Sequence, residues 1–155
     1  MLAKISKITK FFFTSPAKGS DEESQTQKRS SSNFYSNYSI GSRLGDGISA
    51  TVYEATELSS GSKFAAKVFD RENVNASHEV VIESEILSSL DHPHIIKLIE
   101  HFDKELIMVL EYMRGGELFD RIVKKTYYSE KEARDIMKRI VSAIKCCHDH
   151  DIIHQ

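Results

Sequence analysis

Phe64-Ala65-Ala66-Lys67-Val68-Phe69, followed after a polar stretch by the apolar series Val80, Leu87 and Leu90, decides how this chain is built. Lys63 to Phe69 reads as a strand, and period two places Ala65, Lys67 and Phe69 on one face with Phe64, Ala66 and Val68 on the other. A lysine in mid-strand is ambiguous by itself, because exposed edge strands often carry one. The next segment supplies its partner. Val80, Glu83, Leu87 and Leu90 fall at i, i+3, i+7 and i+10 of a helix, so Glu83 lies within the apolar stripe. Glu79 and Glu85 share that position less fully. A buried carboxylate is costly unless paired, and a helix packed on a small sheet would bring Glu83 towards the face bearing Lys67. A Lys67–Glu83 ion pair is the expected structural centre.

Upstream, Leu44-Gly45-Asp46-Gly47 leads through Ile48, Ser49, Ala50 and Thr51 to Val52, between two strand-like runs. Small residues there let backbone amides approach an anionic phosphate, although a two-glycine turn serves an ordinary hairpin equally well. Thr51 to Glu57 and Lys63 to Phe69 flank Ser59, Ser60 and Gly61, a hairpin signature. Downstream, Ile95 to His101 and Leu106 to Met113 are apolar runs of strand length, and Gly115 with Gly116 interrupts before further helix. Ser129 and Glu132 form a capping box, after which Ala133, Ile136, Met137, Ile140, Ile144 and Cys147 mark one helical face. The order is three strands, a helix, two strands and two helices, an α+β class. No internal repeat is present.

The 155 residues hold 21 Lys and Arg against 23 Asp and Glu, with 40% hydrophobic and 28% charged residues, seven Gly and two Pro. This fits one soluble globular domain and excludes collagen-like, low-complexity and strongly acidic disordered classes. A net charge of −2 gives no general cationic field, so nucleic acid is not an expected partner. No apolar run approaches the length of a spanning helix. Cys146 and Cys147 are adjacent, form no disulfide framework and point to a reducing compartment, the cytoplasm. Residues 1–37 read as a leader: Ser20 to Asn37 is a polar, disordered linker, and residues 1–19 are basic with Met1, Ile5, Ile8 and Phe12 in amphipathic spacing. Membrane contact through residues 1–19 is the minor alternative to a plain unstructured tail. Ser15, Ser20 and Ser30 are weak candidates for phosphorylation.

The glycine turn, Ala65-Ala66-Lys67, the in-stripe Glu83, Asp91-His92-Pro93-His94-Ile95-Ile96-Lys97-Leu98 and Val109-Leu110-Glu111-Tyr112-Met113-Arg114-Gly115-Gly116-Glu117-Leu118-Phe119 occur in one series. In order and spacing that series resembles a eukaryotic serine/threonine protein kinase domain over residues 38–155. Gly115 to Ile122 and Cys147 to His154 are most similar to the calcium/calmodulin-dependent and calcium-dependent protein kinases. The resemblance implies a small lobe of antiparallel sheet plus one helix, with hinge, over 38–113, and the start of the large lobe, its first two helices, over 114–155. It implies ATP-dependent phosphorylation of protein hydroxyls, with Lys67 on the α and β phosphates and Glu83 as its ion-pair partner. Leu44, Gly45, Asp46 and Gly47 would cover the phosphates, and Val52, Ala65 and Leu118 would sandwich the adenine. Leu110 falls at the gatekeeper position, the backbone of Glu111 and Met113 would bond the purine edge, and Glu117 would lie near the ribose. Leu87, Leu98 and His154 match the hydrophobic spine, where ordinary core packing would also explain the first two.

Three departures qualify this resemblance. Ala50 stands at the third glycine position, and Ser49 at the usual aromatic tip. More seriously, Ile152-Ile153-His154 is followed only by Gln155, whereas the family continues with an arginine, the catalytic aspartate, a lysine and an asparagine. The AspPheGly metal site is likewise not among these residues, so Mg2+ is expected only for a complete domain, and the 155 residues alone are not expected to transfer phosphate. The helix from Ser129 would then expose its apolar stripe. Alternative readings are a short kinase-like module that binds nucleotide or docks a partner without catalysis, and a non-functional truncated product. A protein substrate and calcium/calmodulin-type regulation belong to a longer form. Cys146, Cys147, His148, His150 and His154 invite comparison with a zinc site, but neighbouring cysteines point in different helical directions, and no metal is expected.

Overall fold

The computed structural model describes residues 3–5, 28–29, 33–47, 49–73, 75–114, 118–125 and 127–154; residues 3–5, 28–29, 119, 121 and 154 are described by backbone alone. The amphipathic series from Met1 to Phe12, apart from the backbone of Ile5, and the three candidate phosphoacceptor serines lie outside the described residues. Two compact units divide the chain.

One unit comprises Ser24–Ser89 and Ile96–Tyr112. Its strands are β2 (Lys28–Arg29), β3 (Tyr38–Asp46), β4 (Ala50–Glu57), β5 (Lys63–Phe69), β6 (Leu98–Phe102) and β7 (Ile107–Glu111), in the order β2-β6-β7-β5-β4-β3. All neighbours from β6 to β3 are antiparallel, and β2 adds parallel to β6. The β4–β5 hairpin closes on Gly61, whose φ of +73° is accessible to glycine without the steric penalty of a side chain. Helix α2 (Ala76–Ser89) begins four residues ahead of Val80, because Asn73 starts a turn by accepting from the Asn75 and Ala76 amides. Strand β6 starts at Leu98 instead of Ile95, and Lys97 joins the ladder through its carbonyl, which accepts from Glu111 N–H at 3.0 Å.

A buried cluster of Phe34, Tyr38, Ala55, Ala66, Phe102, Ile107 and Val109 packs one face of this sheet. Helix α1 (Phe34–Asn37) brings Phe34 there, capped by the Asn33 side chain, with its ring stacked on Tyr38 and edge-on to Phe102. Strand β2 and helix α1 therefore both fall within the stretch from Ser20 to Asn37 that reads as a linker, ahead of the expected boundary at Tyr38. A fully buried phenylalanine cannot belong to a solvated linker. Tyr38 donates to Glu100 Oε1 at 2.5 Å, and burial followed by this bond holds its phenol above its ordinary range.

The other unit contains β1 (Ala3–Ile5), Leu90–Ile95, α3 (Leu118–Lys124), α4 (Glu130–Asp149) and β8 (Ile152–His154), the last pairing parallel to β1. The capping box holds as expected: Glu132 N–H donates to Ser129 Oγ at 3.3 Å, and Ser129 N–H donates to Glu132 Oε2 at 3.0 Å. The apolar stripe of α4 is graded. Cys147 and Ala143 are buried, Ile136, Ile140 and Ile144 are half-buried, and Met137 and Val141 are more than half exposed. Among the described residues no helix is long and apolar enough to cross a membrane.

Candidate nucleotide site

The second sheet face carries Val52, Ala65, Lys67 and Leu110 of the expected site residues. Val52, Lys67 and Met108 are cross-strand neighbours in β4, β5 and β7, and Glu54, Ala65 and Leu110 form the adjacent row. Strand alternation puts all six on one face, together with Phe69. Ala65, Met108 and Leu110 are buried and Val52 is half-buried, so Lys67 lies among apolar side chains, while Glu54 on the same face is paired with Lys63. Met108 and Glu54 escaped the sequence reading. Their positions follow from strand register, which one strand's pattern does not reveal.

Helix α2 contacts β6 and β7 and delivers Glu83 to this face. Lys67 Nζ donates to both Glu83 carboxylate oxygens at 2.8 Å, and Lys67 and Glu83 are only 8% and 7% exposed. Burial is the larger influence on each: it lowers the Lys67 ammonium and pushes Glu83 up to about 7, while each partner's charge opposes the shift. The ammonium also lies 4.6 Å from the centroid of the Phe69 ring, a cation–π contact that favours the charged form. A lysine carries three N–H donors, of which Glu83 takes two. The third suits an anionic oxygen.

The glycine turn closes the β3–β4 hairpin, with Gly45 opposite Val52 and Asp46 opposite Thr51. Gly47 N–H donates to the Ala50 carbonyl at 2.8 Å, and a Cβ at Gly47 would sit 3.2 Å from that oxygen. Asp46 is paired with Arg43 and accepts from Thr51 Oγ1 at 3.3 Å, which offsets an acid at a turn suited to phosphate. Leu44 is half exposed beside it. At the end of β7, Glu111 N–H donates to the Lys97 carbonyl at 3.0 Å, and Glu111 Oε1 accepts from Lys97 N–H at 2.9 Å. Met113 and Leu118 belong to the other unit, where Leu118 opens α3. Glu117, Gly115 and Gly116 lie outside the described residues. Leu87 and Leu98 are 7% and 3% exposed, as spine or core membership requires, and only the backbone of His154 is described. Among the described residues no three His, Cys, Asp or Glu side chains converge as metal ligands. His150 instead meets the Cys146 carbonyl at 2.8 Å.

Residues 38–155 match the family model described as "Protein kinase domain". The chain is 37% identical over 126 residues to "Probable serine/threonine-protein kinase pXi" of Dictyostelium discoideum, covering 80% of this chain and 18% of that protein. It is 41% identical over 115 residues to "Calcium-dependent protein kinase 5" of Plasmodium berghei, covering 73% and 20%. It is 39% identical over 122 residues to "Calcium/calmodulin-dependent protein kinase type IV" of Mus musculus, covering 76% and 25%. The chain spans less than a third of the length of these relatives.

Proposed function

The chain belongs to the protein kinase domain family, and on that premise we propose that its small lobe binds ATP, with Lys67 as the phosphate-holding lysine of a serine/threonine kinase. The observation that carries this is the Lys67–Glu83 pair at 2.8 Å, buried on the face shared with Val52, Ala65 and Leu110. Glu83 holds the ammonium in one place and keeps it charged. Lys67 then meets a phosphate oxygen without first having to be ordered. Val52, Ala65 and Leu110 offer a purine an apolar surface. Glu111, Met113, Glu117 and Leu118 enter this reading through family resemblance.

Bound ATP supplies the transferable phosphoryl group. Phosphoryl transfer to a serine or threonine hydroxyl also uses the aspartate, asparagine and metal-binding groups that follow the catalytic-loop histidine in the family. For the residues in hand the proposal concerns nucleotide binding and the positioning of Lys67. Mg2+, a protein substrate, calcium-linked control and a cytoplasmic setting belong to the same proposal at the level of a complete domain. Thermal unfolding with and without ATP tests it. We expect ATP to raise the midpoint of the wild-type chain and to have no effect on Lys67→Met. A shift retained in Lys67→Met would overturn the role of Lys67, and no shift in wild type at millimolar ATP would overturn nucleotide binding. The exposure of Met137 and Val141 on α4 then favours the second reading, partner docking without catalysis.

A further inference from the structure

Glu79 is a polar group on α2 that nucleotide binding does not use. Its Oε2 is shut off from solvent and meets no hydrogen-bond donor among the described residues, and its Oε1 takes a stretched 3.4 Å bond from Asn73 Nδ2. A buried carboxylate oxygen without a donor is a costly defect. A first-turn acid favours the helix dipole equally well from an exposed position, so the dipole does not account for the burial. Spacing supplies a second observation. Glu79 and Glu83 stand at i and i+4 of α2 and are neighbours on one helical face. The Glu79 charge reaches both members of the ion pair, favouring the charged Lys67 and pushing the Glu83 carboxyl up.

We propose that Glu79 is a second anchor for Lys67, a positioning residue that receives the ammonium when Glu83 is drawn away. The proposal rests on the reading of Lys67 as the phosphate-holding lysine. Two carboxylates one helical turn apart give the ammonium two alternative seats, and a rotation or slide of α2 exchanges one for the other. The donorless oxygen of Glu79 is an acceptor held in reserve. Its attraction to the nearby ammonium offsets part of the cost of burying it.

The test reads the Lys67 amine directly, as its rate of acylation by an amine-reactive ester at neutral pH, followed by peptide mass spectrometry. It compares the 155-residue wild type with Glu79→Gln, Glu83→Gln and the double variant, each checked for folding by circular dichroism. With two anchors, Glu83→Gln alone leaves Lys67 largely charged and slow. The double variant reacts about tenfold faster than Glu83→Gln, the factor that one unit of lowered amine pKa supplies. A double variant no faster than Glu83→Gln overturns the proposal. Should the double variant unfold, Glu79→Gln decides alone: about threefold faster acylation than wild type supports the second anchor, and an unchanged rate overturns it. ATP titration of the same proteins keeps the two readings apart. Failure of wild type to bind ATP defeats the proposed function and leaves the acylation rates to judge Glu79; ATP binding with unchanged rates defeats only the second anchor.

Discussion

Lys67 and Glu83 meet where neither has much water, so their pairing offsets desolvation more than it adds stability. Glu83 shows this most clearly, since its folded value of about 7 lies above its ordinary 4.5. The folded state therefore holds the proton more tightly than the unfolded chain. This contribution is full below about 4.5 and is lost as pH rises through about 7. Removing the ammonium extends the loss to higher pH, because Lys67 is what restrains the shift. Lys67→Met should cost about 3 kcal/mol at a pH near 8, where a stranded carboxylate must stay buried, and much less near pH 5. Urea unfolding at the two values measures it, and a penalty independent of pH would show that Glu83 is not stranded. The same pair was legible from residue pattern alone, because one acid inside an apolar stripe and one lysine in mid-strand each demanded a partner. Glu79 was harder to place. It shares the apolar stripe less fully than Glu83, and only packing reveals its oxygen with no donor among the described residues.

At the scale of the element, α4 shows local chemistry deciding structure. Ser129 and Glu132 exchange bonds across the first turn, and Lys125 adds an ion pair to the same carboxylate. The Lys125 bond first, then the two Ser129 bonds, hold Glu132 down at about 2. Its folded value lies below the ordinary 4.5, so its contribution is present above about 4.5 and is lost as pH falls through about 2. Acid titration by far-UV circular dichroism should show α4 losing helicity across that window. Glu132→Gln should remove the acid-sensitive step, and a variant that keeps it would assign the step elsewhere. Ser129→Ala should cost about 1 kcal/mol of stability at neutral pH, where Glu132 is charged. Such caps are readable because donor and acceptor lie three residues apart. The start of β6 was not, since Ile95 and Ile96 continue the apolar run and only the bond between Glu111 N–H and the Lys97 carbonyl shows where the ladder begins.

At the scale of the whole molecule, what the sequence concealed is the part that Phe34 plays in the core. Phe34 stands among serines and asparagines with no periodic apolar neighbours, so local pattern assigns it to a linker. Its burial depends on Phe102 and Tyr38, which close over it from β6 and β3, with ring centroids 5.4 and 5.3 Å away. Through Phe34, a segment ahead of the family match at residue 38 becomes part of the sheet's core. Tyr38 ties the same region to β6 through Glu100, so loss of Phe34 would also open the surroundings of a buried phenol. Phe34→Ala should therefore destabilise the unit by about 3–5 kcal/mol, the range for truncating a fully buried phenylalanine. A chain begun at Tyr38 should lose a similar amount relative to one begun at Asn33, because both remove the same ring. Urea unfolding of the three proteins measures this against the intact chain. Equal midpoints for the chains begun at Asn33 and at Tyr38 would return α1 to the linker, whereas matching losses in the truncation and in Phe34→Ala would locate the contribution in that ring.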